Sequence, residues 1–312
     1  MRIVFMGTPE FAVGILDAIL KNNYEVVGVI TATDKPAGRG QKIKYVAVKE
    51  YALQKGLPLL QPSNLKDESF LSELKNLNAN LQIVVAFRML PRVVWEMPKL
   101  GTFNLHASLL PNYRGAAPIN WAIINGERKT GVTTFFIDDK IDTGAMILSQ
   151  EIPILANENV GQLHDRLMDL GSETVIATIK LLEQGKVTTT VQEDYQDIKT
   201  AYKLNKENCK IDWNQSAEKI HHLICGLSPY PVAWCYFKDE NEEYNVKIYE
   251  SKIVLETHTK PIGSIVCIKT ELKIAVRNGY VQIISLQFPG KKRMNVVDLL
   301  NGTSFSEKAI AF

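Results

Sequence analysis

The opening thirty residues constrain the fold most. After Arg2 the chain runs through a short apolar stretch, residues 3–6 (IVFM), which Gly7 ends. Residues 11–20 then place apolar side chains at helical spacing, and residues 25–30 (EVVGVI) supply a second β-branched run. Strand, turn, helix, strand is a βαβ unit, and such a unit requires a parallel sheet covered on both faces. Further buried-strand runs fall at 81–87, 101–105 and 132–137, with helical patterns at 46–55, 68–77 and 117–125. A long helix is predicted over 160–182, with Asn159 as its N-cap and Gly185 as its stop. The expected fold class is α/β: a Rossmann-like domain over residues 1–190 with a mostly parallel sheet.

The pattern changes after Thr190. Residues 191–206 are polar and aperiodic and read as a linker. Residues 207–312 hold one helical pattern, 216–224, and alternating strands at 233–238, 244–249, 263–268, 273–276 and 280–285. Asn278-Gly279 reads as a two-residue hairpin turn between the last two. Short strands with tight turns predict a small C-terminal β-barrel, OB-like in type. Two domains suit 312 residues. A hydrophobic content of 46% excludes a disordered chain, and a net charge of +2 excludes a surface uniformly coated in cations. Basic residues do cluster in two places: residues 35–44 (KPAGRGQKIK), and Lys291, Lys292 and Arg293. The four cysteines match neither zinc spacing nor a CxxC pair, so reduced thiols and no metal are expected. Neither a secretory signal nor an apolar run long enough to span a membrane is evident. A cytoplasmic monomer with no membrane partner is the expectation.

The densest chemistry lies in residues 104–115 (NLHASLLPNYRG), just after a predicted strand. Residues two apart on a strand face the same way, so Asn104 and His106 project together. An amide can donate to a developing oxyanion, and an imidazole can move a proton near neutral pH. Residues 137–144 (IDDKIDTG) follow the next strand and return to the same sheet edge. A carboxylate there can orient and charge-stabilise His106, as in triad logic. Asp142 is one candidate, and spacing does not separate it from Asp138 and Asp139. Those three acids lack partners at metal-ligand spacing. Gly7-Thr8-Pro9 fails the dinucleotide fingerprint, because Pro9 and Ala12 stand where glycines are needed. The residues by themselves point to an acyl-type transferase or hydrolase with a link to RNA.

Longer stretches carry a resemblance. Residues 5–12 (FMGTPEFA), 34–42 (DKPAGRGQK), 104–123 (NLHASLLPNYRGAAPINWAI), 138–147 (DDKIDTGAMI), 201–234 and 288–294 (FPGKKRM) occur in order along nearly the whole chain. Together they resemble the methionyl-tRNA formyltransferase family. Asn-x-His, Ser-Leu-Leu-Pro and Asp-x-x-Asp-x-Gly mark the wider formyltransferase superfamily, and the PAGRG loop with a C-terminal barrel narrows it. The resemblance implies transfer of a formyl group from 10-formyltetrahydrofolate to the α-amine of methionyl-initiator tRNA. It implies Asn104, His106 and Asp142 as catalytic residues, without a covalent enzyme intermediate. It assigns Ser108, Leu109, Leu110 and Pro111 to the folate pocket. It assigns Arg39, with Lys42 and Lys44, to the tRNA acceptor stem, and Lys291, Lys292 and Arg293 supply a second anchor. One departure stands out: Arg88 occupies a position near the expected pterin where the family usually has glycine, so Arg88 either points to solvent or engages the folate tail. The alternatives are a formyltransferase acting on a small amine, such as an amino-sugar nucleotide, and a formyltetrahydrofolate hydrolase.

Overall fold

The computed structural model describes residues 1–37 and 42–312. They form two compact units. The first holds Met1–Pro118, Thr130–Ile152 and His164–Thr200, and the second holds Ile119–Lys129, Pro153–Leu163 and Ala201–Phe312.

The first unit is built on a seven-stranded sheet. Its strands run in the order Met146–Pro153, Lys129–Phe136, Thr102–His106, Leu81–Val85, Arg2–Gly7, Glu25–Ile30 and Leu59–Leu60. From Thr102–His106 to Leu59–Leu60 every pairing is parallel, and Thr102–His106 pairs antiparallel with Lys129–Phe136. Ile3, Val4, Phe5 and Met6 are fully buried, as a strand covered on both faces requires. Helix Glu10–Lys21 packs Phe11, Ala12, Ile15, Leu16 and Ile19 into this core. Gly7 permits the approach: a Cβ there would lie 2.6 Å from the Ala12 Cβ. Gly7 therefore serves close packing of a strand-to-helix turn.

Helix Val160–Glu183 starts where Asn159 and Gln162 exchange side-chain-to-backbone hydrogen bonds at 3.0 Å each, a capping box, and stops before Gly185 at φ +62°. Several elements depart from expectation, among them the short strand Leu59–Leu60 and the helical turn Arg92–Trp95. The strand expected to reach residue 87 ends at Val85, because Ala86 turns to φ +47°. Residues 35–37 and 42–44 pair as a short antiparallel hairpin within the expected loop. Met146–Pro153 is an additional strand at the edge of the sheet.

The second unit is an antiparallel barrel with one long helix, Ala217–Leu227. Its strands run in the order Ile265–Ile268, Glu271–Val276, Gly279–Gln287, Glu242–Val254, Ala233–Asp239 and Ile310–Ala311, with Met294–Asn295 added beside Gly279–Gln287. A bridge between Ser264 and Ile310 brings the two ends of this path together. Strand Glu242–Val254 is twice the expected length, because register shifts on either side of Glu250 bend it. The hairpin turn also moves by one residue: Arg277 and Asn278 are its central pair, and Gly279 begins the return strand. A Cβ on Gly279 would lie 2.1 Å from the Val254 carbonyl oxygen, so glycine is required there for close approach. Asn278 caps the helix, accepting from the Ala217 N–H at 2.9 Å and donating to Glu218. Among the described residues no helix is long and apolar enough to cross a membrane.

Candidate active site

The site forms at the end of strand Thr102–His106. Register sets Asn104 between Val84 and Phe135, and His106 beside Thr133. His106 is buried, and its Nε2 lies 2.7 Å from the Tyr113 carbonyl oxygen. A carbonyl only accepts, so Nε2 carries hydrogen and the neutral ring keeps its lone pair at Nδ1. Nδ1 faces Asp142 Oδ2 at 3.8 Å, and the two side chains are only 7% and 15% exposed. That separation is too long for a hydrogen bond, yet short enough for strong attraction once the ring is protonated.

Geometry separates the three acids that spacing leaves equivalent. Asp138 organises its own turn, accepting from Thr143 Oγ1 at 2.9 Å and from the Lys140 N–H at 3.0 Å, and Asp139 is exposed. Asp142 faces the imidazole. Its backbone adopts φ +55°, and its Oδ2 accepts from the Gly115 N–H at 2.9 Å. Its carbonyl accepts from Gln192 Nε2 at 2.9 Å, and the same nitrogen donates to the Gly144 carbonyl at 2.8 Å. Arg114 Nε donates to Gln192 Oε1 at 3.0 Å. Gly144 lets the turn close on the sheet, since a Cβ there would fall 1.7 Å from the Phe136 carbonyl oxygen. Sequence reasoning missed Gln192, which lies in the stretch read as a linker. A glutamine among polar, aperiodic residues gives no local signal.

Asn104 is the remaining polar group. Its Oδ1 is buried and has no hydrogen-bond partner among the described residues. A half-turn about Cβ–Cγ exchanges its carbonyl and NH2 ends, so the amide can offer a donor or an acceptor. A buried polar group of this kind is costly unless something satisfies it.

Residues 108–111 form the adjoining loop. Ser108 is fully buried and donates from Oγ to the Asn112 carbonyl at 2.7 Å. Thr133 staples the loop to the sheet: its Oγ1 donates to the Ser108 carbonyl at 2.8 Å and accepts from the Leu110 N–H at 3.3 Å. Ser149 Oγ donates to the same Thr133 oxygen at 3.0 Å. Leu110 is buried, while Leu109 and Pro111 are half-buried. Thr133 escapes a sequence reading because a threonine in a buried strand looks like ordinary β-propensity. Among the described residues no cluster of His, Cys, Asp or Glu is placed to hold a metal.

The formyl transferase family matches residues 1–179, and its C-terminal domain matches residues 203–304. The methionyl-tRNA formyltransferase of Flavobacterium johnsoniae is 74% identical, covering 99% of this chain and 98% of its own. That of Flavobacterium psychrophilum is 68% identical, covering 100% of this chain and 99% of its own. The chain belongs to the methionyl-tRNA formyltransferase family. A solved sugar 3N-formyl transferase, crystallised with dTDP and 5-N-formyl-THF, shares the fold at TM-score 0.65 and 22% identity, over 94% of this chain and 99% of its own.

The other residues that the sequence ties to this family lie in varied settings. Arg88 is exposed, and its guanidinium donates to the carbonyls of Ser63, at 2.9 Å, and Pro62. It thereby clips the chain after Val85 to the segment at 62–63. Arg39 lies outside the described residues. Lys42 and Lys44 are on the second strand of the short hairpin. On the barrel, Lys291 and Lys292 are exposed. Arg293 is engaged with Glu250, donates to Ser285 Oγ at 2.8 Å, and lies 4.7 Å from the Tyr249 ring centroid.

Proposed function

We propose that the chain transfers the formyl group of 10-formyltetrahydrofolate to the α-amine of methionyl-initiator tRNA, in the cytoplasm, at Asn104, His106 and Asp142. The observation that carries the reading is the buried imidazole with its Nδ1 facing a shielded carboxylate, two residues along the strand from an amide whose buried oxygen has no partner among the described residues. The amine nitrogen bonds to the formyl carbon, and the formyl oxygen becomes an oxyanion. Asn104 donates to that oxygen from its NH2 group. The departing amine proton goes to His106 Nδ1, the ring nitrogen left free by the Tyr113 carbonyl. Asp142 stabilises the imidazolium that results. The oxyanion then collapses to a carbonyl and the C–N10 bond breaks, N10 takes the proton that the His106 imidazolium holds, and tetrahydrofolate leaves, with the ring neutral again. No step needs a nucleophile from the protein.

Leu109, Leu110 and Pro111 supply the apolar wall of the donor pocket, with Ser108 fixing its polar backbone. In this reading residues 1–190 hold the chemistry, 191–206 connect, and 207–312 engage the tRNA. Arg39, Lys42 and Lys44 bind acceptor-stem phosphates, and Lys291, Lys292 and Arg293 bind a second stretch. Arg88 acts on the pocket by shaping its backbone.

The test is an assay of formyl-methionyl-tRNA with 10-formyltetrahydrofolate and methionyl-initiator tRNA, beside tubes lacking acceptor or holding an amino-sugar nucleotide. Product in the first tube only supports the reading, and His106→Asn or Asp142→Asn should lower kcat by roughly 10²-fold or more. Formate released without acceptor makes the chain a hydrolase, and sugar formylation moves its acceptor to a small amine.

A further inference from the structure

We propose that Gln192 is a positioning residue for formyl transfer, holding the Asp142 carboxylate at its working place beside His106. The inference rests on the reading of Asp142 given above. Gln192 is buried, and each end of its amide is used. Nε2 bridges the carbonyls of Asp142 and Gly144, at 2.9 and 2.8 Å, and so spans the turn that carries the carboxylate. Oε1 accepts from Arg114 Nε at 3.0 Å. Arg114 immediately precedes Gly115, whose N–H holds Asp142 Oδ2 at 2.9 Å. The contacts therefore close a ring. Gln192 grips the Asp142 backbone directly, and through Arg114 it steadies the residue that grips the carboxylate.

Two features make this grip matter. Asp142 sits at φ +55°, a conformation an aspartate leaves readily unless its surroundings hold it. Its carboxylate also lies 3.8 Å from His106 Nδ1, so no direct hydrogen bond fixes the pair, and the turn together with the Gly115 N–H sets their separation. A displacement of about 1 Å at a catalytic group can cost roughly 10²-fold in rate.

The experiment uses the full chain and measures kcat and KM for both substrates in Gln192→Met, Asp142→Asn and the double variant. Met keeps the length of the side chain and removes its donors and acceptor. Gln192→Met should lower kcat about 10- to 100-fold and leave both KM values within about twofold. In the Asp142→Asn background the same change should cost less than about twofold further, because Gln192 acts through that carboxylate. Arg114→Met, read in the same two backgrounds, should show a smaller loss with the same dependence on Asp142, and it decides the matter if Gln192→Met does not fold. An undiminished kcat, a loss confined to KM, or an equal loss with and without Asp142 would overturn the proposal. Full activity in Asp142→Asn by itself would instead bring down the underlying assignment of the site.

Discussion

Replacing Thr133 with valine tests how the candidate donor pocket is held. Valine keeps the shape and the β-branch of threonine on a fully buried strand position, so packing and strand preference are conserved. Only the hydroxyl is lost. The Ser108 carbonyl loses its donor at 2.8 Å, and the Leu110 N–H loses its acceptor at 3.3 Å. Ser149 is exposed and can turn its hydroxyl to water. A buried polar group left without a partner costs about 1–3 kcal/mol, and the longer Leu110 contact sits at the low end of that range, so the sum is about 2–4 kcal/mol. At about 2–4 °C per kcal/mol for a unit of this size, the thermal midpoint of the first unit should fall by roughly 4–16 °C. Residues 108–111 are what Thr133 holds, so KM for 10-formyltetrahydrofolate should rise while KM for tRNA stays level. Calorimetry and initial-rate kinetics read both effects. Thr133→Ser, which keeps the hydroxyl and loses one methyl, should cost only about 1 kcal/mol. A Val variant with unchanged melting and unchanged donor KM would refute the claim that this hydroxyl holds the loop.

Gly144→Ala should abolish activity and lower stability by several kcal/mol on the order expected for forced overpacking against backbone, because the new methyl meets the Phe136 carbonyl oxygen at 1.7 Å; wild-type melting and rate would contradict it. Asp17 is held below its ordinary value of 3.8, first by its hydrogen bond with Lys21 and then by that with Tyr51. A lowered carboxyl stabilises the fold above its ordinary value, so the deficit of Asp17→Asn in urea titrations should be full at pH 7 and vanish as pH falls below 3.8. Burial pushes the thiols of Cys225 and Cys267 up to about 11. Both should therefore react slowly with iodoacetamide at pH 8 in the native protein, as peptide mapping would show, and quickly once it is unfolded. Arg39→Ala should raise KM for methionyl-tRNA and flatten its dependence on salt, and a full salt slope would remove this residue from the tRNA contacts.

What could be read from the residues follows from how local each cause is. The βαβ opening was legible because fully buried strands leave an apolar run that periodicity exposes. Asn104 and His106 could be paired because a strand repeats every two residues. Asp142 could not be told from Asp138 and Asp139, since the choice depends on a turn that only closes when Gly144 meets Phe136. Gln192 was invisible because its role comes from contacts about fifty and eighty positions away in the chain. Strand Met146–Pro153 hid behind Ser149, Gln150 and Glu151, polar residues that a half-exposed edge tolerates. Glu242–Val254 was cut short because the irregularity near Glu250 breaks the alternation on which strand reading depends. The turn at 277–278 was misplaced because Asn278 serves as a helix cap and Gly279 as a point of close approach, two tasks that mimic the chemistry of a hairpin.

The meeting of Ser264 with Ile310 has a consequence for synthesis. Residues 309–312 complete the barrel by bonding to residues 236 and 263–265. A ribosome releases the chain from its N-terminus onward at about 5–20 residues per second, so the strands that these residues join wait for them with open edges. Every residue of the first unit precedes Ala201, so all of them are made before residues 201–312. The barrel closes only when residues 309–312 have cleared the exit tunnel.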